Sequence, residues 1–65
     1  MNKRQIKKQI KKILNQKVKE NIIDNYEIIN NKIIDLKSGN YTNTLFLEEK
    51  TCKKNIIFLK HYLRR

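Results

Sequence analysis

The chain has 65 residues, and its 16 Lys and Arg outnumber six Asp and Glu to give a net charge of +10. This length allows one domain with a small core, and such domains usually need a disulfide, a metal or a partner for stability. Cys52 is the single cysteine and His61 the single histidine, which excludes an internal disulfide and a four-ligand zinc site. The excess positive charge favours a polyanionic partner: nucleic acid, an anionic membrane or an acidic protein.

The sequence does not favour a membrane or secreted protein. It contains no run approaching the roughly 20 apolar residues that span a bilayer, and its first residues lack the apolar core of a secretory signal. A single cysteine fits a reducing compartment. Lys, Asn and Ile are over-used, which we interpret as codon drift in an AT-rich genome. We expect a cytoplasmic or organellar location.

Apolar residues in the first half of the chain follow one another at steps of three and four, the spacing of an amphipathic helix. They are Ile6, Ile10, Ile13, Leu14, Val18, Ile22, Tyr26, Ile29, Ile33 and Leu36. The pattern predicts a long helical arm over about residues 2–37. Asn21 could cap a second helix and break the arm there.

The single glycine, Gly39, suits the position just after a helix, and it opens the only loop-like stretch, about residues 38–44. A second apolar stripe then predicts another helical arm over about residues 45–64. It consists of Leu45, Cys52, Ile56, Leu59 and Leu63. Long helices joined by a short loop pack antiparallel. The predicted fold is therefore all-α: residues 1–65 form a single domain of two long antiparallel helices, a helical hairpin.

Basic residues concentrate in residues 1–20 and 50–65, which an antiparallel hairpin would bring to one end. Pairs of basic residues repeat every four positions and favour a ridge that contacts phosphates. The candidate RNA-binding residues are Lys3, Arg4, Lys7, Lys8, Lys11, Lys12, Lys53, Lys54, Lys60, Arg64 and Arg65. His61 or Tyr62 could stack on a base, or the C-terminal residues could form a frayed basic tail. A solvated helix face and a helix lying on anionic lipid are the alternative interpretations of the ridge.

Nothing in the sequence favours an enzyme. Cys52 lies on the apolar stripe with no residue placed to activate it, so a buried structural thiol is expected. Glu48 and Glu49 are interpreted as residues of the early helical turns, where negative charge is favourable. We expect no catalytic residue, no metal, no cofactor and no small-molecule substrate.

Three short stretches resemble a known family, the bacterial and organellar type of large ribosomal subunit protein twenty-nine. The run from Lys53 to Arg64 is similar to the family's C-terminal arm, with two basic residues, an amide and an aliphatic residue followed by mixed basic and aliphatic positions. The run from Leu36 to Gly39 resembles its turn, and the run from Glu27 to Ile33 resembles its first arm. The chain departs from the family at Asn31, Ile57 and Phe58.

The resemblance implies a helical hairpin that is a structural constituent of the ribosome. It would bind large-subunit rRNA near the polypeptide exit tunnel, beside neighbouring large-subunit ribosomal proteins, and would have no membrane partner. Its basic residues would bridge phosphates of separate rRNA segments. The alternative is a small phage or mobile-element protein that binds nucleic acid or inhibits a nucleic-acid-handling enzyme.

Overall fold

The structure, a computed structural model, describes residues 2–64 and has the order helix, three strands, helix. The elements are α1 (Lys3–Lys19), β1 (Asn25–Ile29), β2 (Ile33–Ser38), β3 (Tyr41–Phe46) and α2 (Lys53–Tyr62). The strands form one antiparallel sheet in the order β1-β2-β3. The predicted all-α helical hairpin is therefore wrong. Three strands lie within residues 25–46, where the sequence predicted the end of the first helical arm, the loop and the start of the second arm.

Helix α1 has well-defined ends. At its start the Asn2 side chain accepts a hydrogen bond from the Gln5 N–H at 2.9 Å, and the Gln5 side chain accepts one from the Asn2 N–H at 3.2 Å. This reciprocal capping satisfies two backbone donors. At its end Asn21 has a positive φ of 61°, and the Asn21 and Ile22 N–H groups bond back to Val18 and Lys17. Asn21 thus ends α1 from the left-handed position, where the sequence suggested a cap for a second helix.

The two hairpin turns explain where the strands reverse. Asn30 and Asn31 have φ values of 53° and 57°, a left-handed conformation that Asn tolerates better than most residues. Gly39, with a φ of 61°, comes first in the two-residue turn that joins Ser38 to Tyr41. Glycine is favoured at that position of a hairpin turn. Gly39 therefore turns a strand and does not end a helix.

The core lies between the two helices and one face of the sheet. Its buried residues come from all parts of the chain: Ile6, Ile10, Leu14, Ile23, Ile34, Leu36, Leu45, Leu47, Ile56, Leu59 and Leu63. Both helices cover the same face, and the opposite face of the sheet carries no helix. Arg4 and Lys7 share a groove with Thr51, whereas Lys17 lies with Lys60. The helices thus run in the same direction, and the expected antiparallel arrangement of basic ends is wrong.

The loop between β3 and α2 is held by a buried amide. Asn55 is 3% exposed. Its side chain accepts a hydrogen bond from the Glu48 N–H at 3.1 Å and donates one to the Lys50 carbonyl at 3.3 Å. Glu48 and Glu49, expected in helical turns, lie in this loop. Cys52, expected to be buried, is half-buried at the position before α2, and its thiol lies 3.3 Å from a Glu48 carboxylate oxygen.

Replacing Asn55 with Ala is expected to lower the free energy of unfolding by about 1–3 kcal/mol, because it leaves two polar groups of the loop without their partner. Thermal unfolding followed by circular dichroism measures the effect. The exposed Asn43 of β3 supplies the control, and Asn43→Ala should change stability by no more than about 0.5 kcal/mol. Equal effects of the two substitutions would contradict the role given to Asn55.

Candidate nucleic-acid interface

Helix α1 carries eight basic residues and no acidic residue among its 17 positions. Ile6, Ile10 and Leu14 are buried, and most of the positions between them are exposed. Four-residue spacing places these apolar side chains on one side of the helix. Ile13 and Val18 lie partly buried beside them. The remaining circumference is left to Lys, Arg, Asn and Gln.

A groove of about 390 Å³ opens between the first half of α1 and the start of α2. One wall is basic and consists of Arg4, Lys7, Lys8 and Lys11. The other wall is polar and uncharged, with Asn31 from the β1–β2 turn, Thr51 and Asn55, and the apolar lining is Ile10, Ile28 and Leu47. We call this the basic groove. It can surround an anionic group with cations on one side and neutral hydrogen-bonding groups on the other.

The outer face of α1 continues the positive surface away from the basic groove. Its shallow depression is lined by Lys8, Lys11, Lys12, Asn15, Gln16 and Lys19, and we call it the basic ridge. Lys8 and Lys11 belong to both surfaces. Beyond the ridge, Lys12 and Lys17 lie with Lys60 of α2 in a further depression. One continuous basic surface therefore runs from Arg4 across α1 to the second helix.

No acidic residue of the described part of the chain lines the basic groove or the basic ridge. All six lie between the helices, in residues 20–49. Within residues 2–64, Lys17 is the one basic group of α1 in an ion pair, 4.0 Å from Glu20. The Lys32–Glu49 pair, at 2.9 Å, lies in the loops. Most cations of α1 are thus free to contact an external anion without first breaking an internal pair.

The structure brings together most of the residues that the sequence singled out. Five of them lie on the basic groove, the basic ridge or both: Arg4, Lys7, Lys8, Lys11 and Lys12. Lys60 joins from α2, while Lys53 and Lys54 are exposed in its first turn beside Thr51 and Asn55. Lys3 is exposed at the start of α1. Arg64 is exposed after α2, and Arg65 lies outside the described residues.

Sequence reasoning missed the uncharged wall of the groove. Asn31 and Thr51 were not singled out, because each is distant from α1 in sequence and reaches the groove through the fold. The Asn30–Asn31 pair gave one usable signal, since adjacent Asn residues are typical of turns. Recognising that turn would have predicted a hairpin beside α1.

No aromatic side chain lines the basic groove or the basic ridge among the described residues. Tyr26 contacts one residue of the ridge, because its hydroxyl donates a hydrogen bond to the side-chain oxygen of Asn15 at 2.7 Å. Proteins that bind single strands usually combine cations with aromatic rings on which bases stack. The surface provides cations and hydrogen-bonding groups only.

The described part of the chain contains no group of three or more His, Cys, Asp or Glu arranged to hold a metal ion. None of its helices has both the length and the apolar character needed to cross a membrane.

No protein-family model, no curated protein and no solved structure matches this chain. The resemblance to the ribosomal family implied a helical hairpin, and the observed fold removes that implication. The chain's own residues must therefore support any proposal about function.

Proposed function

We propose that this protein binds double-helical RNA through contacts of the basic groove and basic ridge with the phosphate backbone. The observation that carries the proposal is an α1 helix with eight cations, no acid and one internal ion pair. Lys and Arg that neutralise phosphates release counterions, and this supplies affinity without sequence preference. The mechanism is positional, because cations fixed on a rigid helix meet phosphates fixed on a regular backbone.

Two features favour a duplex over a single strand. The basic residues from Lys3 to Lys19 extend along ~24 Å of one helix, at 1.5 Å per residue. A duplex presents regularly spaced phosphates to such a ridge, whereas a single strand must be ordered first. The absence of aromatic lining from the described surface removes the base stacking on which single-strand binding usually depends.

The uncharged polar groups favour RNA over DNA. Asn15 and Gln16 lie among the lysines of the ridge, and Asn31 and Thr51 face the lysines of the groove. RNA duplexes are recognised through phosphates and 2′-hydroxyls that are accessible in a wide minor groove. Amide and hydroxyl side chains beside cations suit that mixed surface, because they can both donate to and accept from a 2′-hydroxyl.

Fluorescence anisotropy with one sequence as duplex RNA, duplex DNA and single-stranded RNA tests the proposal. We expect duplex RNA to bind at least about tenfold more tightly than the single strand, and log K to fall linearly with log salt. Equal affinity for the single strand would exclude the duplex preference. A flat salt dependence would exclude binding through phosphates.

The source of the RNA is a separate question that sedimentation answers. The ribosome offers abundant duplex RNA, so a role on the large subunit remains part of the proposal. Tagged protein from its native host would then comigrate with large subunits on a sucrose gradient after a high-salt wash. A peak at the top of the gradient would direct the search to other structured RNA, including that of a phage or mobile element.

A further inference from the structure

The face of the sheet that carries no helix has its side chains arranged in distinct rows. The strand register places Glu27 opposite Asp35, with Thr44 next in the row. The adjacent row consists of Ile29, Ile33 and Phe46. We call these two rows together the open sheet face. Phe46 is 74% exposed and Ile29 39% exposed, while Ile33 between them is half-buried, so the apolar row is partly exposed to water.

The acidic row itself contains no cation, and Lys37, which lies in the next row beside Asp35, forms no ion pair with it within residues 2–64. Directly opposed side chains in an antiparallel pair lie within about 5.5 Å of each other, and like charges there are destabilising. Asp35 accepts a hydrogen bond from the Thr44 hydroxyl at 2.8 Å, and no ion pair reaches Asp35 or Glu27 within residues 2–64. A row of this kind fits a partner that brings positive charge beside an apolar side chain.

The outer side of α2 has the complementary character. Ile57, Phe58 and Tyr62 are 55%, 44% and 45% exposed, and the rings of Phe58 and Tyr62 stack with centroids 6.0 Å apart. Lys53 and Lys54 precede Ile57 and Phe58 by one helical turn, and α2 contains no acidic residue. We call these five residues the exposed α2 face. It offers apolar groups beside cations, where the open sheet face offers apolar groups beside carboxylates.

We infer that the exposed α2 face of one copy of this protein docks on the open sheet face of a second copy. Ile57 and Phe58 would cover the row that contains Phe46, while the lysines would approach Glu27 and Asp35. Side chains four apart on a helix lie about 5–6 Å from each other. Neighbouring rows of a sheet face are ~7 Å apart, from two residues of strand rise. The two patterns can therefore be superimposed.

Charge makes this pairing of unlike faces preferable to a symmetric dimer. Two open sheet faces in contact would bring carboxylates together, and two exposed α2 faces would bring lysines together. Two different faces in contact form a heterologous interface, which builds a ring or an open row of copies. Helix α1 belongs to neither face, so each copy in the row would keep its basic ridge exposed.

Sedimentation equilibrium without nucleic acid tests this arrangement with two complementary variants. Glu27→Lys/Asp35→Lys reverses the charge of the open sheet face, and Ile57→Lys/Phe58→Lys replaces the apolar residues that would cover Phe46 with cations. The weight-average mass of the unaltered protein should at least double as its concentration rises, and each variant alone should remain monomeric. An equal mixture should form a heterodimer that cannot grow, because one intact face remains on each variant.

A charge-matched control separates the interface from net charge. Glu20→Lys/Glu49→Lys adds the same positive charge outside both faces, and it should preserve association. Circular dichroism verifies that each variant retains its fold. A protein that stays monomeric at all concentrations, a mixture that forms no heterodimer, or a control that also abolishes association would overturn the inference. No nucleic acid is present, so these outcomes are independent of RNA binding.

Discussion

Replacing Leu59 with Ala is expected to leave a large fraction of the protein unfolded at 25 °C. Leu59 is 0% exposed in the centre of α2, within the core shared by both helices and the sheet. Truncation of a buried Leu to Ala costs about 2–5 kcal/mol, and a core of this size rarely supplies more than about 3–5 kcal/mol. The loss is therefore comparable to the whole stability of the domain. Urea and thermal unfolding followed by circular dichroism measure it.

Ile57 provides the matched control because it lies on the same helix and is 55% exposed. At a dilute protein concentration, Ile57→Ala should change the free energy of unfolding by no more than about 0.5 kcal/mol. Leu59→Ala should lower the midpoint of thermal unfolding by about 8 °C or more, at the usual 4–8 °C per kcal/mol for small domains. Similar shifts for both variants would mean that α2 does not pack as described.

The 17 residues of α1 could be predicted as a helix because a single periodic pattern accounts for them. Ile6, Ile10 and Leu14 fit a helical period, and Lys8 and Lys12 between them exclude a strand with one apolar face. The Lys and Gln residues of this segment are also good helix formers. The end of the helix was misjudged, although Asn21 was recognised as a break. Asn serves both as a cap before a helix and in the left-handed position after one, and its neighbours in sequence do not distinguish the two.

The strands were missed because the adjacent isoleucines at positions 28–29 and 33–34 fit both the helical period and the strand period. Ile29 and Ile33 extend a helical series at steps of three and four. Ile28 lies two residues after Tyr26, and Leu36 lies two residues after Ile34, which is the spacing of side chains on one face of a strand. The strand assignment is favoured by chemistry that the periodicity did not weigh. Isoleucine is a poor helix former and a good strand former, and the adjacent Asn residues at positions 30 and 31 make a turn.

The basic half of the site could be predicted, and the polar half could not. Residues on one helix keep their relationship whatever the helix packs against, so Lys8, Lys11 and Lys12 form a ridge in either fold. Thr51 reaches the groove only because α2 runs in the same direction as α1, which brings the starts of the two helices to the same groove. The sequence contains no local signal for that packing, and the hairpin interpretation placed the two ends of the chain together instead.

The substitution of Lys7, Lys8 and Lys11 by Gln is expected to weaken duplex RNA binding by about 10²- to 10³-fold near 0.1 M salt, since each released counterion contributes nearly a factor of ten there. The slope of log K against log salt should fall by about two to three. Gln is close to Lys in helix propensity, and all three lysines are exposed, so the fold should persist. Anisotropy titrations over a range of salt concentrations measure both quantities.

The control removes three charges from elsewhere on the molecule, because long-range attraction alone would respond to net charge. Lys32, Lys37 and Lys50 are exposed on the strands and loops, and their replacement by Gln changes the net charge equally. This variant should lose less than about tenfold in affinity and keep nearly the same salt slope, because it removes no contact in the groove. Equal losses for the two triple variants would mean that RNA is attracted by overall charge and that the basic groove is not where it binds.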